Sequence, residues 1–309
     1  MTEARQVGQN TRRNTRKMAA RCLLALGLVG VLANCGDMRD GKDVAEGEAL
    51  LVAATIFPLA DITAELAGSE AEVLTIVPAG ADPHAFDPTP DLARKLEDGV
   101  LVIGVGAHLD DWVVSLSRGA GVRLLLLSEG LTLTEGDPHI WLDPIMVRDE
   151  LLPRIADALT EILPGSGDQI ARRAEAYRDS LTNLDAEIRS ELADVTSPHF
   201  VASHAAWGYF AARYGLEQVG AIYHGHGREP GPRELAALVD RARLAGVRGV
   251  FSEPQLGETA ARALAHEIGA ELGVLEPLGG PEAPGAESYL DLMRSNAREF
   301  ARILAAPSD

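Results

Sequence analysis

The chain has 309 residues, which is long enough for two domains. Of these residues, 46% are hydrophobic and 24% charged, a composition typical of a soluble globular protein. Its formal net charge of -18 excludes a nucleic-acid-binding protein, because so acidic a body repels polyanions as well as anionic lipid surfaces. Cys22 and Cys35 are the only cysteines, so a mature chain that begins at Cys35 can contain no internal disulfide.

The first 35 residues predict a processing segment. A basic stretch at residues 12–21 precedes an apolar run at residues 22–33 that carries no charge and is too short to span a bilayer. The run ends in the string LANC, which resembles the bacterial lipoprotein cleavage site, although asparagine is unusual directly before the cysteine. We predict a signal peptide over residues 1–35 with lipidation at Cys35, and a flexible polar tether over residues 36–48. The alternative is a plain signal peptide with an incidental cysteine.

From Leu50 onward, the sequence alternates between strand and helix patterns. The runs VLVIGVG and VRLLLLSEG are apolar throughout, which is typical of strands buried on both faces of a parallel sheet. Helices are predicted where an amphipathic stretch ends at a glycine, as in PLADITAELAG, or begins with a proline in its first turn, as at Pro90. The chain after His139 also becomes a helix. These patterns predict a first α/β domain over residues 49–165.

A long helix is predicted next. From Ala171 to Leu192, apolar residues recur at spacings of three and four, and neither glycine nor proline interrupts them. A helix of about seven turns between two α/β blocks favours a rigid connector, which we assign to residues 166–196. The alternative is an ordinary surface helix of a single domain.

The strand and helix alternation then resumes. HFVASH, LEQVGAIY, VRGVFSE and AELGVL are strand patterns, and helices of 10–15 residues separate most of them. This alternation predicts a second parallel domain over residues 197–309. The predicted fold class is therefore α/β, with two doubly wound, Rossmann-like lobes joined by one long helix.

Three of the 8 histidines stand out as candidate metal ligands. His84 and His139 each end an Asp-Pro-His tripeptide, and His204 lies in the string VASHAAWGYF. Neutral imidazole is the commonest side-chain ligand for zinc. The spacings of 55 and 65 residues exclude a zinc finger and a two-histidine helix motif, so different elements of a large fold would have to bring the three together.

A carboxylate would complete a tetrahedral site with these histidines. Glu276 is the best candidate because, like His84 and His204, it follows a predicted strand, and ligands of doubly wound sheets bind outside the carboxyl ends of the strands. Asp82 and Asp137 are alternatives. We expect these two instead to accept hydrogen bonds from loop amides or from a ligating imidazole, while the following prolines stiffen both loops.

Across the whole mature chain, the sequence resembles the metal-binding solute receptors of ABC importers that serve zinc and manganese uptake. The strings that carry the resemblance follow the order of the family and are ADPHAFDPTP (81–90), VGAHLDDWV (105–113), DPHIWLDP (137–144), VASHAAWGYFAARYGL (201–216), GVFSEPQ (249–255), LEPLGG (275–280) and YLDLMRSN (289–296). The resemblance implies two α/β lobes joined by a single long helix, with the ion bound in the cleft between them. The ligand positions of the family correspond to His84, His139, His204 and Glu276.

The third ligand position is histidine in zinc-type members and glutamate in manganese-type members, so His204 implies zinc. A nitrogen-rich site also suits Zn²⁺ better than Mn²⁺. The fourth position is usually aspartate, and this chain has Glu276 there. Two further histidines, His224 and His226 in YHGHG, match no family motif and are candidates for an auxiliary metal site, with solvated loop residues as the alternative. Glu253, in FSEPQ, is expected to be a structural residue near the floor of the cleft.

The resemblance implies a receptor without enzymatic activity that captures Zn²⁺ outside the cytoplasmic membrane and delivers it to an ABC permease. The ATPase would be a separate chain, because no glycine-rich Lys-Ser/Thr phosphate loop is present. We expect a periplasmic or extracytoplasmic monomer, bound to the membrane only through its lipid anchor, with a periplasmic metallochaperone as a further candidate partner.

Three other functions remain open from the sequence. A manganese or iron receptor of the same family differs only in the metal that it selects. A zinc-dependent hydrolase would need a coordination position open to water, and the HExxH string of many such enzymes is absent. A lipid-anchored adhesin would need an exposed apolar patch.

Overall fold

The computed structural model describes residues 49–223 and 230–305, which form two α/β lobes and a long helix between them. The strands in this part of the chain are β1 (Leu50–Ala54), β2 (Ala71–Thr75), β3 (Gly99–Gly104), β4 (Arg123–Leu126), β5 (His199–Ala202), β6 (Glu217–Ala221), β7 (Gly249–Ser252) and β8 (Glu271–Val274). The helices are α1 (Phe57–Ala67), α2 (Pro90–Leu96), α3 (Trp112–Ala120), α4 (Pro144–Met146), α5 (Leu152–Ile162), α6 (Gly167–Glu191), α7 (Gly208–Tyr214), α8 (Pro232–Ala245), α9 (Thr259–Ile268) and α10 (Tyr289–Leu304). A π-helical turn, Val147–Leu151, joins α4 to α5.

Each lobe contains a four-stranded parallel sheet, and the two sheets have the same strand order. The first is ordered β2-β1-β3-β4 and the second β6-β5-β7-β8. The loops that leave β2, β4, β5 and β8 carry His84, His139, His204 and Glu276, in that order. All four residues therefore lie at the carboxyl ends of strands, where doubly wound sheets bind their ligands. The predicted fold class is confirmed.

Local sequence signals explain where the elements begin and end. Helix α2 begins with Pro90 directly after Thr89, whose Oγ1 accepts a hydrogen bond from the Leu92 amide at 3.3 Å. Helix α8 ends at Gly246, which has a φ of 65°, a left-handed conformation that glycine adopts without a steric penalty. In the central strands, Val52 and Leu101 are completely buried, as their apolar runs predict.

Helix α6 connects the lobes and also belongs to the core. Its buried residues are Ile170, Tyr177, Leu181, Leu184 and Ile188. They join one continuous apolar cluster with side chains of both lobes, so α6 packs against α1 and α5 on one side and α10 on the other. The predicted stripe is wrong at its first residue, because Ala171 is exposed and Ile170 is buried in its place.

Several predictions concern residues outside the described part of the chain. They are the signal peptide, lipidation at Cys35, the tether over residues 36–48, and the auxiliary pair His224 and His226. The boundaries proposed for the two domains and the linking segment, 49–165, 166–196 and 197–309, stay predictions. Within residues 49–223 and 230–305, no helix combines the length and the apolar composition that crossing a membrane requires.

Candidate metal centre

The loop after β2 carries His84 in a short 3₁₀ turn, Pro83–Ala85. The Oδ1 atom of Asp82 accepts a hydrogen bond from the His84 amide at 2.9 Å, which closes the turn that an aspartate before proline favours. The indole Nε1 of Trp112 donates to the Pro83 carbonyl at 3.0 Å, and the Phe86 ring packs against the same indole. The backbone under His84 is therefore held in place by residues of the first lobe.

The second Asp-Pro-His unit repeats this arrangement and adds a contact to the ring. Asp137 Oδ1 accepts a hydrogen bond from the His139 amide at 3.0 Å and lies 2.6 Å from His139 Nδ1. His139 is only 5% exposed, and this burial lowers its pKa despite the opposing effect of the Asp137 hydrogen bond. The imidazole is therefore held neutral, in the form that binds a metal. These bonds confirm the expectation that Asp82 and Asp137 accept hydrogen bonds within their loops.

The segment around His139 is also tied to the second lobe. Trp141 Nε1 donates to the Pro277 carbonyl at 2.7 Å, and the Tyr289 hydroxyl donates to the Trp141 carbonyl at 2.8 Å. Two residues further on, the Asp143 carboxylate accepts hydrogen bonds from Nε and Nη2 of Arg213, at 3.0 and 2.7 Å. Ile140, Trp141 and Leu142 are buried, so this stretch fixes His139 against both lobes at once.

The loop after β5 carries His204, which contacts a buried carboxylate of the loop after β7. His204 Nδ1 lies 2.5 Å from Glu253 Oε2, and the His204 amide donates to Glu253 Oε1 at 3.4 Å. Burial has the largest single effect and lowers the pKa of His204, but the carboxylates of Glu253, Asp82 and Asp137 together outweigh it, so the pKa lies above its ordinary value of 6.5. The Gln218 amide also donates to the His204 carbonyl, at 2.9 Å.

The three histidines converge where the lobes meet. The Nε2 atom of His139 lies 3.4 Å from that of His84 and 3.2 Å from that of His204. One nitrogen from each ring lies within 4.8 Å of the others, which makes these three residues a group that could hold a metal ion. Their rings border a cavity of about 170 Å³ that is lined by residues of both lobes. Nitrogens bound at 2.0–2.1 Å to one tetrahedral zinc lie about 3.3 Å apart, close to both measured spacings.

Glu276, the fourth predicted ligand, does not belong to this group. Its Oε1 atom accepts hydrogen bonds from Gln255 Nε2 at 2.8 Å and from the Leu278 and Gly279 amides at 3.0 and 3.1 Å. Its backbone amide and carbonyl are both bonded to the Asn296 side chain. The carboxylate is thus turned onto its own loop, beside Gln255, Pro277 and Leu278, which line the cavity. Its role as a ligand stays a prediction.

Glu253, expected as a structural residue near the floor of the cleft, also contacts the predicted ligand His204. Glu253 lines the cavity and is 2% exposed. Its position directly after β7, at the same edge of the sheet as His204, was the available signal. His108 lies apart from the three-histidine group and pairs with Asp111 on the surface, with its Nδ1 2.9 Å from Oδ2.

Known proteins resemble this chain in sequence and in fold. A family described as ZnuA, zinc-uptake complex component A, periplasmic, matches residues 52–303. The zinc-binding protein AdcA of Streptococcus pyogenes serotype M1 is 26% identical over an alignment of 313 positions, gaps included, which covers 90% of this chain and 60% of AdcA. The high-affinity zinc uptake system protein ZnuA of Bacillus subtilis strain 168 is 26% identical over 292 residues, which cover 86% of this chain and 91% of that protein.

A crystal structure of ZnuA superposes on this chain with a TM-score of 0.75 at 28% identity, covering 84% of this chain and 100% of the other. The chain thus spans about 60% of the length of the streptococcal AdcA proteins, but most of the length of the Bacillus protein. The family match runs from β1 into α10 and so includes both lobes. This chain belongs to the ZnuA family of periplasmic zinc-uptake components.

Proposed function

We propose that this protein is a zinc receptor that binds Zn²⁺ outside the cytoplasmic membrane and delivers it to an ABC permease. The observation that carries the proposal is the spacing of the three Nε2 atoms. His139 Nε2 lies 3.4 Å and 3.2 Å from its two neighbours, and tetrahedral zinc holds nitrogens about 3.3 Å apart. The zinc-related names of the AdcA and ZnuA relatives support the same cargo.

The ligands that we propose are His84, His139 and His204, with Glu276 as the fourth donor. A set of three imidazoles favours zinc over manganese, which prefers oxygen ligands. Binding through Glu276 requires its carboxylate to give up part of its contacts with Gln255 and the Leu278 and Gly279 amides. We also propose His224 and His226 as an auxiliary site, on the basis of their sequence alone.

For its location and partners, we propose a protein anchored through lipidated Cys35 that acts as a monomer. The basic and apolar N-terminal stretches support export, and the family supports a permease with a separate ATPase as the receiving complex. A periplasmic metallochaperone is proposed as a further partner. A manganese or iron receptor is the alternative within the same family.

One observation favours a second function, that of a zinc-dependent hydrolase. The group of close ligand atoms contains three histidines and no carboxylate, and catalytic zinc sites keep one coordination position for water. We propose that the protein has no such activity, because Glu276 closes that position when zinc binds. Zinc-loaded protein should then hydrolyse an activated ester no faster than the metal-free protein does. Zinc-dependent turnover would favour the hydrolase.

Metal competition tests the proposed function. Purified mature protein is stripped with a chelator, incubated with equal concentrations of Zn²⁺ and Mn²⁺, and analysed for bound metal. We expect one zinc per chain and no retained manganese, because the donors are imidazoles. Retention of manganese in preference to zinc would overturn the assignment, and binding of neither metal would contradict both the zinc and the manganese receptor.

Zinc affinity should fall as the pH is lowered. Zinc binds deprotonated imidazole. Burial, the largest single effect, lowers the pKa of His204, but the nearby carboxylates together raise it above 6.5. Protons therefore compete at His204 below its raised pKa, whereas the lowered pKa of His139 keeps that ring available. Titrations from about pH 8 to about pH 5 should show the apparent affinity falling about tenfold per pH unit below the pKa of His204. An affinity that is constant over this range would contradict the histidine site.

A further inference from the structure

Glu253 is a buried carboxylate without a permanently charged partner in the described residues. Its side chain is 1% exposed, and the ion pairs formed by Arg and Lys in this part of the chain do not include it. Its close polar contacts from another residue come from His204, at Nδ1 and at the amide. Burying a carboxylate is costly unless a hydrogen bond or an opposite charge offsets the lost hydration. An apolar side chain would fill the same space without this cost, so packing alone does not explain a glutamate at position 253.

The opposite lobe contains a similar pair. Asp137 Oδ1 is hydrogen-bonded to His139 Nδ1 at 2.6 Å, and Glu253 Oε2 lies 2.5 Å from His204 Nδ1, at an angle outside hydrogen-bond geometry. In both pairs the carboxylate lies on the Nδ1 side of the ring, and the two Nε2 atoms face each other at 3.2 Å. A carboxylate on one ring nitrogen fixes the proton there and leaves the lone pair of the other nitrogen for a metal.

We propose that Glu253 is a positioning residue for zinc, which holds the proton of His204 on Nδ1 and directs the Nε2 lone pair into the cavity. This inference rests on the proposed zinc-receptor function and deepens it. Glu253 and Asp137 also supply two negative charges directly behind two ligating rings. These two charges balance the charge of Zn²⁺ bound by three neutral imidazoles. The balance does not require the Glu276 carboxylate to give up its hydrogen bonds to Gln255 and to the loop amides.

The charge argument separates Glu253 from a residue that acts through packing alone. Glutamine has nearly the shape of glutamate, so Glu253→Gln keeps the volume of the side chain and removes its charge. The amide can also rotate to donate a hydrogen bond to Nδ1, which would move the imidazole proton to Nε2 and block the ligand atom. The variant should therefore affect zinc binding more than folding.

The test compares Glu253→Gln with Glu271→Gln, a control at an exposed position where β8 begins. Zinc affinity is measured against a competing chelator, and the His204 tautomer is measured by ¹⁵N NMR of the metal-free protein at a pH above the titration midpoint of His204, where its neutral imidazole dominates. We expect wild-type His204 to carry its proton on Nδ1. We expect Glu253→Gln to weaken zinc binding by about ten- to a hundredfold and to increase the Nε2-protonated form, while Glu271→Gln changes neither.

Either measurement can overturn the proposal. The wild-type tautomer needs no variant, so a proton on Nε2 of His204 contradicts the proposal even if Glu253→Gln does not fold. Equal zinc affinity in the wild type and Glu253→Gln also contradicts it, while the zinc-receptor function stands. Failure of the wild type to bind zinc is a different outcome, because it removes the proposed function on which this inference rests.

Discussion

Replacing His139 with alanine should weaken zinc binding by about a hundredfold or more. The Nε2 atom of His139 is the middle one of the three nitrogens, 3.4 Å from Nε2 of His84 and 3.2 Å from Nε2 of His204. Its loss removes the zinc ligand that lies next to both of the others. Four-ligand structural zinc sites bind with about 10–16 kcal/mol, or about 3 kcal/mol per ligand, which corresponds to about a hundredfold in affinity. Titration against a chelator of known zinc affinity measures the loss.

The matched control is His266→Ala, an exposed histidine on α9 in the second lobe. It removes an imidazole from the surface and should leave the zinc affinity of the folded protein unchanged. If His139→Ala bound zinc as tightly as His266→Ala, His139 would not be a ligand and the three-histidine site would be wrong.

The largest loss of stability is expected for Trp141→Ala. Trp141 is 1% exposed and lies two residues after His139, where its indole donates to Pro277 and its carbonyl accepts from Tyr289. Truncating a buried tryptophan typically costs about 3–5 kcal/mol of unfolding free energy. Here the change also leaves the Pro277 carbonyl without its partner on the other lobe. Urea unfolding of the metal-free protein measures the free energy, with zinc absent so that the binding site contributes nothing.

Trp112→Ala is the comparison for this variant, because Trp112 is only partly buried and its contacts with Pro83 and Phe86 stay within the first lobe. It should destabilise the fold clearly less than Trp141→Ala. Equal losses, or a loss below about 1 kcal/mol for Trp141→Ala, would show that the contacts between Trp141 and the second lobe contribute little to stability.

The fold could be predicted from sequence because its signals are local. Apolar runs such as VLVIGVG are typical of strands covered on both faces, and a proline at the start or a glycine at the end delimits most helices. The repeated Asp-Pro-His unit also identified His84 and His139 as a pair, since Asp82 and Asp137 both close turns within their own loops. These features depend on residues close together in the chain.

The remaining details depend on contacts between distant residues. Whether a carboxylate at the end of a strand faces the cavity or its own loop depends on the path of the loop, and sequence pattern does not encode that path. Glu276 was therefore placed with the histidines, although its Oε1 atom accepts bonds from Gln255, Leu278 and Gly279. Glu253 was expected near the floor of the cleft, but its contact with His204 joins residues 49 positions apart and was not predicted. The stripe on α6 was wrong only at its first residue, where Ile170 is buried and Ala171 is exposed.

A crystal structure of the zinc-loaded protein with anomalous diffraction at the zinc edge tests the central claim most directly. We predict one strong anomalous peak in the cavity between the lobes, within bonding distance of Nε2 of His84, His139 and His204. A cavity without zinc in the zinc-loaded protein, or zinc in the cavity without one of these three nitrogens as a ligand, would contradict the account.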